Sequence, residues 1–184
     1  MTRTVSTSLR ARLREDTRER HHALDQRVSS YDLTTPSGFM CFLTMQVTAL
    51  RSIEPHAKDA ASYNAIQDLR ARAQADLHHF DQPRPMGRAI KAPSALAVDY
   101  MIGGSRLGTQ VLKRRWQDAR DPLVRKASAY FTAPSYIDLW QGFCATAERI
   151  PPYGAVADRI VNDVDDLFSF YVECSHAFAA TERA

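Results

Sequence analysis

Small and apolar residues recur at helical spacing near the start of the chain. The first stripe, with steps of four, four, four, three and four positions, consists of Leu9, Leu13, Thr17, His21, Leu24 and Val28. This spacing places all six residues on one face of an α-helix. No segment shows the alternation of apolar and polar residues that marks a half-buried strand. The sequence therefore predicts an all-α, single-domain helical bundle.

Prolines and polar turns divide the rest of the chain into further predicted helices. One opens at Pro36 and is interrupted at Pro55, and a short one follows Asp121. Other helices are predicted at about 65–80, 94–116, 135–149 and 153–179, with the longest loop at 83–93. We treat residues 1–184 as one domain, and we expect 1–7 and 180–184 to be flexible tails.

Composition limits the class of protein. The chain is 45% hydrophobic and 24% charged, with a net charge of +3, which is ordinary for a globular domain and does not call for nucleic acid. No apolar run approaches the roughly 18 to 20 residues of a membrane helix. We expect a cytoplasmic monomer that binds no membrane. Cys41, Cys144 and Cys174 lie among apolar residues, and we expect buried thiols rather than disulfides.

Three of the seven glycines, Gly103, Gly104 and Gly108, fall within six positions of the predicted helix at 94–116. A glycine inside a helix costs roughly 0.5–1 kcal/mol relative to alanine. Gly104 and Gly108 are four apart and share one face, where the missing side chains let a flat or bulky group lie against the backbone. The cluster therefore indicates a binding surface.

His21 lies within the first apolar stripe, whereas His22 is turned by roughly 100° toward the polar flank. Asp25 follows His21 by four positions and is placed to accept a hydrogen bond from one ring nitrogen. The other nitrogen is then available to a ligand, as in an axial haem ligand whose tautomer a second group fixes. The alternative is a core histidine that the carboxylate simply satisfies.

Two segments resemble the haem oxygenase family. Residues 13–25, with a basic residue, a threonine and the histidine, are similar to its N-terminal proximal helix. Residues 104–108, Gly-Ser-Arg-Leu-Gly, continued by 111–115, are similar to the distal helix of the bacterial branch, particularly the enzymes that supply biliverdin to bacteriophytochromes. The resemblance extends over almost the whole chain and implies a haem-oxygenase-like bundle with haem between these two helices.

The resemblance implies roles for individual residues. His21 is the axial ligand of the haem iron. Gly104 and Gly108 match the glycines that let the distal helix kink over the haem. Arg14 and Arg115 match basic residues that meet the two propionates. For each arginine the alternative is an ordinary surface charge.

Other positions depart from the family or complete the site. Asp25 replaces the usual glutamate, Ser105 stands where animal enzymes carry a distal aspartate, and Gly103 replaces a frequent acidic residue. We place Ser105 with the two distal glycines at the catalytic face. We also assign Tyr100 and Phe170 to the surroundings of the haem.

The implied reaction is oxidative opening of haem to biliverdin, carbon monoxide and ferrous iron. Haem b is both substrate and cofactor, O2 is the oxidant, and electrons come from an external donor, because the chain has no flavin or nucleotide motif. A ferredoxin or flavodoxin is the implied donor and a bacteriophytochrome the implied receiver of biliverdin. A group of basic residues on the first and distal helices suits an acidic donor, unless it is simply a solvated helix face. This basic run consists of Arg10, Arg12, Arg14, Arg18 and Arg20, with Lys113 and Arg114.

Two alternatives stay open. A haem or bilin carrier on the same fold would keep His21 and the glycines without turning haem over. A di-iron carboxylate oxidase is suggested by Glu173 and His176, an i, i+3 pair on the last helix. Such sites usually need two of these pairs and two further glutamates, of which the sequence shows one pair.

Overall fold

The computed structural model describes residues 6–82 and 84–176, and all regular structure in these ranges is helical. The α-helices are α1 (Leu9–Asp16), α2 (Arg18–Ser29), α3 (Pro36–Ile53), α4 (Tyr63–His78), α5 (Ala95–Gln117), α6 (Pro122–Lys126), α7 (Ile137–Ala147) and α8 (Ala155–His176). A short 3₁₀ helix, Glu54–His56, follows α3. The predicted all-α class is confirmed. None of these helices is long and apolar enough to cross a membrane.

The bundle is built around α3 and α8. α3 packs along α4 and against α8, and α8 also contacts α1, α2 and α5. The core includes a stack of rings in which Phe131 lies 5.8 Å from Phe39 and 5.6 Å from Phe42 between ring centroids. α3 begins where predicted, because Pro36 suits the first helical turn and the Thr35 hydroxyl accepts a hydrogen bond from Gly38 N.

The first predicted helix is divided in two, contrary to the expectation of one helix from Leu9 to Val28. Thr17 leaves helical geometry with φ −101° and ψ 7°, and its buried hydroxyl donates to Leu13 O at 2.7 Å. A threonine that bonds back to the preceding turn competes with the regular backbone ladder. The break separates α1, which buries Leu9 and Leu13, from α2, which has no fully buried residue.

The structure corrects part of the prediction of flexible tails and part of the prediction of buried thiols. Residues 1–5 and 180–184 lie outside the described residues, but Ser6 is buried and its N–H donates to the Tyr153 hydroxyl at 2.8 Å.

The three cysteine thiols form no disulfide. Cys174 is buried as expected, and burial raises the pKa of its thiol to about 12. Cys41 and Cys144 are only half-buried, because α3 and α7 each leave one edge near solvent.

A buried carboxylate fixes the start of α5. Asp99 Oδ1 accepts hydrogen bonds from Ser62 N at 2.8 Å and Ser62 Oγ at 2.6 Å, and Oδ2 accepts one from Ala61 N at 3.3 Å. These bonds tie the first turn of α5 to the beginning of α4. They also satisfy backbone donors that have no partner within α4.

Replacing Asp99 with alanine is expected to destabilise the fold without affecting the distant end of α5. Asp99→Ala leaves up to three donors without a partner in a largely buried place, and each unsatisfied group costs about 1–3 kcal/mol. We expect the free energy of unfolding, measured by urea denaturation, to fall by about 2–4 kcal/mol. Asp118→Ala, at the exposed C-terminal end of the same helix, is the control and should change it by less than about 0.5 kcal/mol. Equal losses in the two variants would contradict the assignment.

Candidate functional site

A groove separates α2 from α5. Both helices pack against α8, but they make little contact with each other. Phe168 of α8 is buried between them, with its ring centroid 5.2 Å from that of His21 on α2 and 6.4 Å from that of Tyr100 on α5. We call this space, bounded by His21, Phe168 and the face of α5 from Tyr100 to Arg115, the α2–α5 groove.

The two helices are joined at both ends of the groove. At one end the Tyr100 phenol interacts with the Thr17 side chain. At the other end the Arg115 guanidinium donates to Ser29 O at 3.1 Å and to Tyr31 O at 2.6 Å. α2 and α5 therefore run in the same direction. One helical turn beyond the Thr17–Tyr100 contact, residues 21 and 104 lie at the same level across the groove.

His21 lies at the edge of the bundle rather than in its interior. Its side chain is 57% exposed, which corrects the expectation that it faces the core. The cause is that α2 packs on α8 through one side only, so the imidazole rests edge-on against Phe168 while its outer part faces the groove. This placement leaves a coordinating nitrogen accessible.

Asp25 is close to His21, as the four-residue spacing predicts. The distance from His21 Nδ1 to Asp25 Oδ2 is 3.4 Å, which is longer than an ordinary N–H···O hydrogen bond. The carboxylate favours a proton on Nδ1 and so directs the lone pair of the neutral ring to Nε2. His22 points elsewhere, and its Nε2 lies 2.9 Å from the Gln26 side-chain nitrogen. The two histidines are thus separated as their register predicts.

The three glycines of α5 meet different surroundings. A Cβ on Gly103 would lie 3.3 Å from the Trp140 backbone, and one on Gly104 would lie 3.5 Å from the Trp140 ring. Gly103 therefore lets α7 approach α5 closely, a packing role that the sequence did not indicate. A Cβ on Gly108 would meet nothing within 4 Å. Of the three, Gly108 is the one whose bare face is open.

The exposed part of this face is apolar. Leu107 and Val111 are 47% and 61% exposed, and with Gly104 and Gly108 they follow the i, i+3, i+4, i+7 spacing of one helix face. An apolar face of this kind at the edge of a groove suits an apolar ligand. α5 runs through these positions without a break in its assigned helix, from Ala95 to Gln117.

The polar side chains of Ser105 and Arg106, beside the glycines, bond to other groups of the protein. Ser105 is exposed, and its hydroxyl donates to Ile102 O at 2.9 Å, one turn back along the helix. Arg106 points away from the groove, since its buried guanidinium lies 5.5 Å from the Tyr130 ring and donates to Pro134 O at 3.3 Å. In this arrangement neither side chain donates into the groove.

Of the two aromatic residues assigned to the surroundings of the haem, Tyr100 lies beside the groove and Phe170 does not. Tyr100 lies near Phe168 and Trp140, and burial raises the pKa of its phenol. Phe170 is on the other side of α8, in a cavity of about 180 Å³ beside Ile90 and Lys91. Two positions correspond to about 200° of rotation along a helix, so Phe168 faces the groove and Phe170 does not.

The two arginines expected to meet carboxylates differ in their present partners. Arg14 is exposed and lines a cavity next to Tyr100. Arg115 is held by two backbone carbonyls at the far end of the groove. Its guanidinium is at a groove end, as the spacing from Gly108 predicts. Both bonds come from Nη2, so a carboxylate could pair with the other nitrogens of the group.

The basic run is less uniform than expected. Arg12 is buried, with Asp158 at 2.7 Å and Asp16 at 3.0 Å, so it belongs to the packing of α1 on α8 and not to a docking surface. Arg20 pairs with Asp165 at 3.3 Å. The remaining members of the run are available on the surface.

No metal centre built from side chains is found within residues 6–82 and 84–176, where no group of three or more His, Cys, Asp or Glu residues could hold an ion. Glu173 lies 3.7 Å from the Arg88 guanidinium, and His176 is exposed at the end of α8. The i, i+3 pair therefore has no further carboxylates around it in the described chain. This arrangement does not favour the di-iron alternative.

Sequence reasoning missed two aromatic residues of the site. Phe168 supports the His21 ring, and Trp140 covers Gly103 and Gly104. Phe168 follows Val161 and Val164 in the buried stripe of α8, and that stripe was the available signal. Nothing in the spacing of α7 indicated which residue would meet the glycines.

Comparison with known proteins adds no relative, since the chain matches no family model, no curated protein and no solved structure.

Proposed function

We propose that this chain is a haem oxygenase, which opens haem to biliverdin, carbon monoxide and ferrous iron. The observation that carries the proposal is the α2–α5 groove. It places an accessible histidine, His21, at the same level as the start of an uncovered apolar and glycine-bearing face. The proposal also rests on the resemblance of residues 13–25 and 104–115 to the two haem-contacting helices of that family.

The groove fits a haem in its chemistry. Haem is flat, largely apolar and carries two carboxylates. Leu107, Gly108 and Val111 present a surface without polar side chains, and the buried ring of Phe168 lies between α2 and α5. The two carboxylates of a haem leave the same edge of the ring, whereas Arg14 and Arg115 lie near opposite ends of α5. One of these arginines, and not both, would therefore pair with the carboxylates through its planar guanidinium group.

In the proposed reaction haem supplies the iron that activates O2 and the ring that is opened. His21 would donate the Nε2 lone pair, and Asp25 would keep the Nδ1 proton and the ring orientation in place. The missing side chain at Gly108 would leave room on the opposite side for a small molecule. Leu107 and Val111 would limit its approach to one edge.

The proposed reaction needs an electron donor that binds to the surface of the chain. The reaction consumes electrons, and the chain has no motif for a flavin or nucleotide. We propose an acidic ferredoxin or flavodoxin as the donor, which Lys113 and Arg114 near the end of α5 would attract. The biliverdin would then pass to an acceptor such as a bacteriophytochrome.

Turnover of haem by the purified chain tests the proposal. We expect one equivalent of haem to give a histidine-ligated spectrum, and ferredoxin, its reductase and NADPH under O2 to replace that spectrum with that of biliverdin. Carbon monoxide and ferrous iron should be released in equal amounts. Haem without the chain is the control, because free haem degrades to mixed products. A complex that stays intact through repeated reduction would identify a haem carrier and would contradict the proposed activity.

A further inference from the structure

A small cavity lies on the side of α8 that faces away from the α2–α5 groove. It has a volume of about 180 Å³, close to the roughly 150 Å³ of an apolar protein cavity that takes up benzene. It is lined by Ala89, Ile90, Lys91, Pro93, Asp163, Asp166, Leu167 and Phe170. None of these residues borders the groove, so the cavity is separate from the proposed haem site.

One wall of the cavity is the segment 89–93, which has no regular structure and is attached at both ends. Before it, Arg88 N donates to Ser52 Oγ on α3 at 2.7 Å. After it, Ser94 N donates to Asp163 Oδ2 on α8 at 2.8 Å. The two attachments fix the ends of the segment and leave an apolar space between the segment and α8. The apolar part of the lining consists of Ile90, Pro93, Leu167 and Phe170.

Asp163 gives the cavity a buried negative charge that lacks close partners. Its side chain is 3% exposed, and burying a carboxylate is costly unless it is paired and hydrogen-bonded. Lys91 Nζ lies 3.9 Å from Oδ1 and Arg159 Nε lies 3.6 Å from Oδ2, and both distances exceed that of a hydrogen bond. Both cationic side chains are mostly exposed. Among the described residues, Oδ1 therefore has no donor within hydrogen-bond distance.

A second oxygen at this point of the bundle is also unsatisfied. The Oγ of Ser94, whose N–H bonds to Asp163, is buried and has no hydrogen-bond partner in the described part of the chain. Buried polar atoms usually have a partner, so two neighbouring unsatisfied oxygens favour a ligand that donates hydrogen bonds. An ammonium group suits this position, because it carries three donors, no acceptor and a positive charge.

We propose that the cavity binds a small primary amine in its protonated form. The ammonium group donates to Asp163, and an apolar body about the size of a benzene ring packs against Leu167 and Phe170. The two carboxylates and the one ammonium of the lining give a formal charge of −1, which favours a cation. Lys91 Nζ, 3.6 Å from Asp166 and on a side chain that is 74% exposed, is the cation that the ligand replaces beside the carboxylates.

Titration of the ¹⁵N-labelled, haem-free chain with benzylammonium, followed by NMR, tests the site. We expect saturable 1:1 binding, with the largest amide shifts within residues 89–94 and 163–170. Benzyl alcohol has the same ring without the charge, and methylammonium has the charge without the ring. Each should bind at least about tenfold more weakly than benzylammonium, because the charge-assisted hydrogen bond and the burial of the ring both contribute.

Two variants change the charge of the lining in opposite directions. Asp163→Asn removes the carboxylate but keeps an oxygen that can accept from Ser94 N, and it should weaken benzylammonium binding at least about tenfold. Lys91→Met removes the competing cation at an exposed position, so the fold should be retained and binding should tighten about threefold or more. Lys126→Met is the control, because this exposed lysine on α6 does not line the cavity, and it should leave the affinity unchanged.

The location of the amide shifts and the effect of charge decide the result. Absence of saturable binding, or shifts centred on α2 and α5 instead, would overturn the site. Equal affinity for benzyl alcohol or for methylammonium, or unchanged binding by Asp163→Asn, would overturn the proposed ligand. If Asp163→Asn does not fold, unchanged or weaker binding by Lys91→Met would do the same. The titration uses no haem, so its outcome is independent of the proposed oxygenase activity.

Discussion

His21→Ala is expected to remove histidine ligation of haem while leaving the fold intact. The imidazole is 57% exposed and makes no contact that the core depends on beyond its edge-on packing against Phe168. Alanine is also the better helix former, by up to about 0.7 kcal/mol. We expect helix content and thermal stability to stay close to those of the unaltered chain. Haem affinity should fall at least tenfold, the histidine-ligated absorption spectrum should disappear, and biliverdin formation should be lost.

His22→Ala is the matched control. It changes the adjacent residue of the same helix, whose ring contacts Gln26 and points away from the groove. We expect its haem spectrum and turnover to match those of the unaltered chain. Loss of ligation in His22→Ala instead of His21→Ala would show that the register of α2 is wrong. Normal ligation in both variants would place the haem somewhere other than the groove.

Asp25→Asn separates support of the ligand from ligation itself. Groups that bond to a ligating histidine usually change metal affinity or activity by 10–100-fold when they are replaced. The Nδ1–Oδ2 distance of 3.4 Å in this structure is long, so we expect an effect near the lower limit, about tenfold. The ligated spectrum should persist. A complete loss, as large as that of His21→Ala, would mean that the carboxylate itself holds the ligand.

The helices could be predicted from the sequence because their buried stripes dominate their energetics. α3, α5 and α8 each carry a continuous series of apolar residues that must be removed from water. The break at Thr17 could not be predicted in this way, since it depends on one hydroxyl bonding back to Leu13 O. The apolar stripe continues across the break, and its spacing carries no sign of it.

The site was predictable where it lies on one helix and less so where two helices meet. The positions of His21 relative to Asp25, and of Gly104 relative to Gly108, follow from helical spacing alone. The exposure of His21 depends on how far α5 stands from α2, which no spacing within one helix reveals. The choice between Phe168 and Phe170 likewise depends on the rotation of α8, and both residues are buried.

Gly108→Leu is expected to stabilise the chain and at the same time to abolish its proposed activity. A Cβ at this position would meet nothing within 4 Å, so the folded structure accepts a side chain without a clash. Replacing a glycine inside a helix raises the free energy of unfolding by about 0.5–1 kcal/mol. For a chain of this length that corresponds to a rise in the midpoint of thermal unfolding of roughly 1–4 °C. The new side chain would occupy the open face of α5, and haem binding or turnover should fall at least tenfold.

Gly142→Leu isolates the effect of helix propensity. Gly142 is an exposed glycine within α7, and a Cβ there would also meet nothing within 4 Å. We expect a similar rise in thermal stability with unchanged haem binding and turnover. Gly103→Ala should behave in the opposite way, because its Cβ would lie 3.3 Å from the Trp140 backbone and would offset the gain in propensity. If Gly108→Leu turns haem over normally, the bare face of α5 is not the wall of the site, and its glycine must be explained by something other than ligand access.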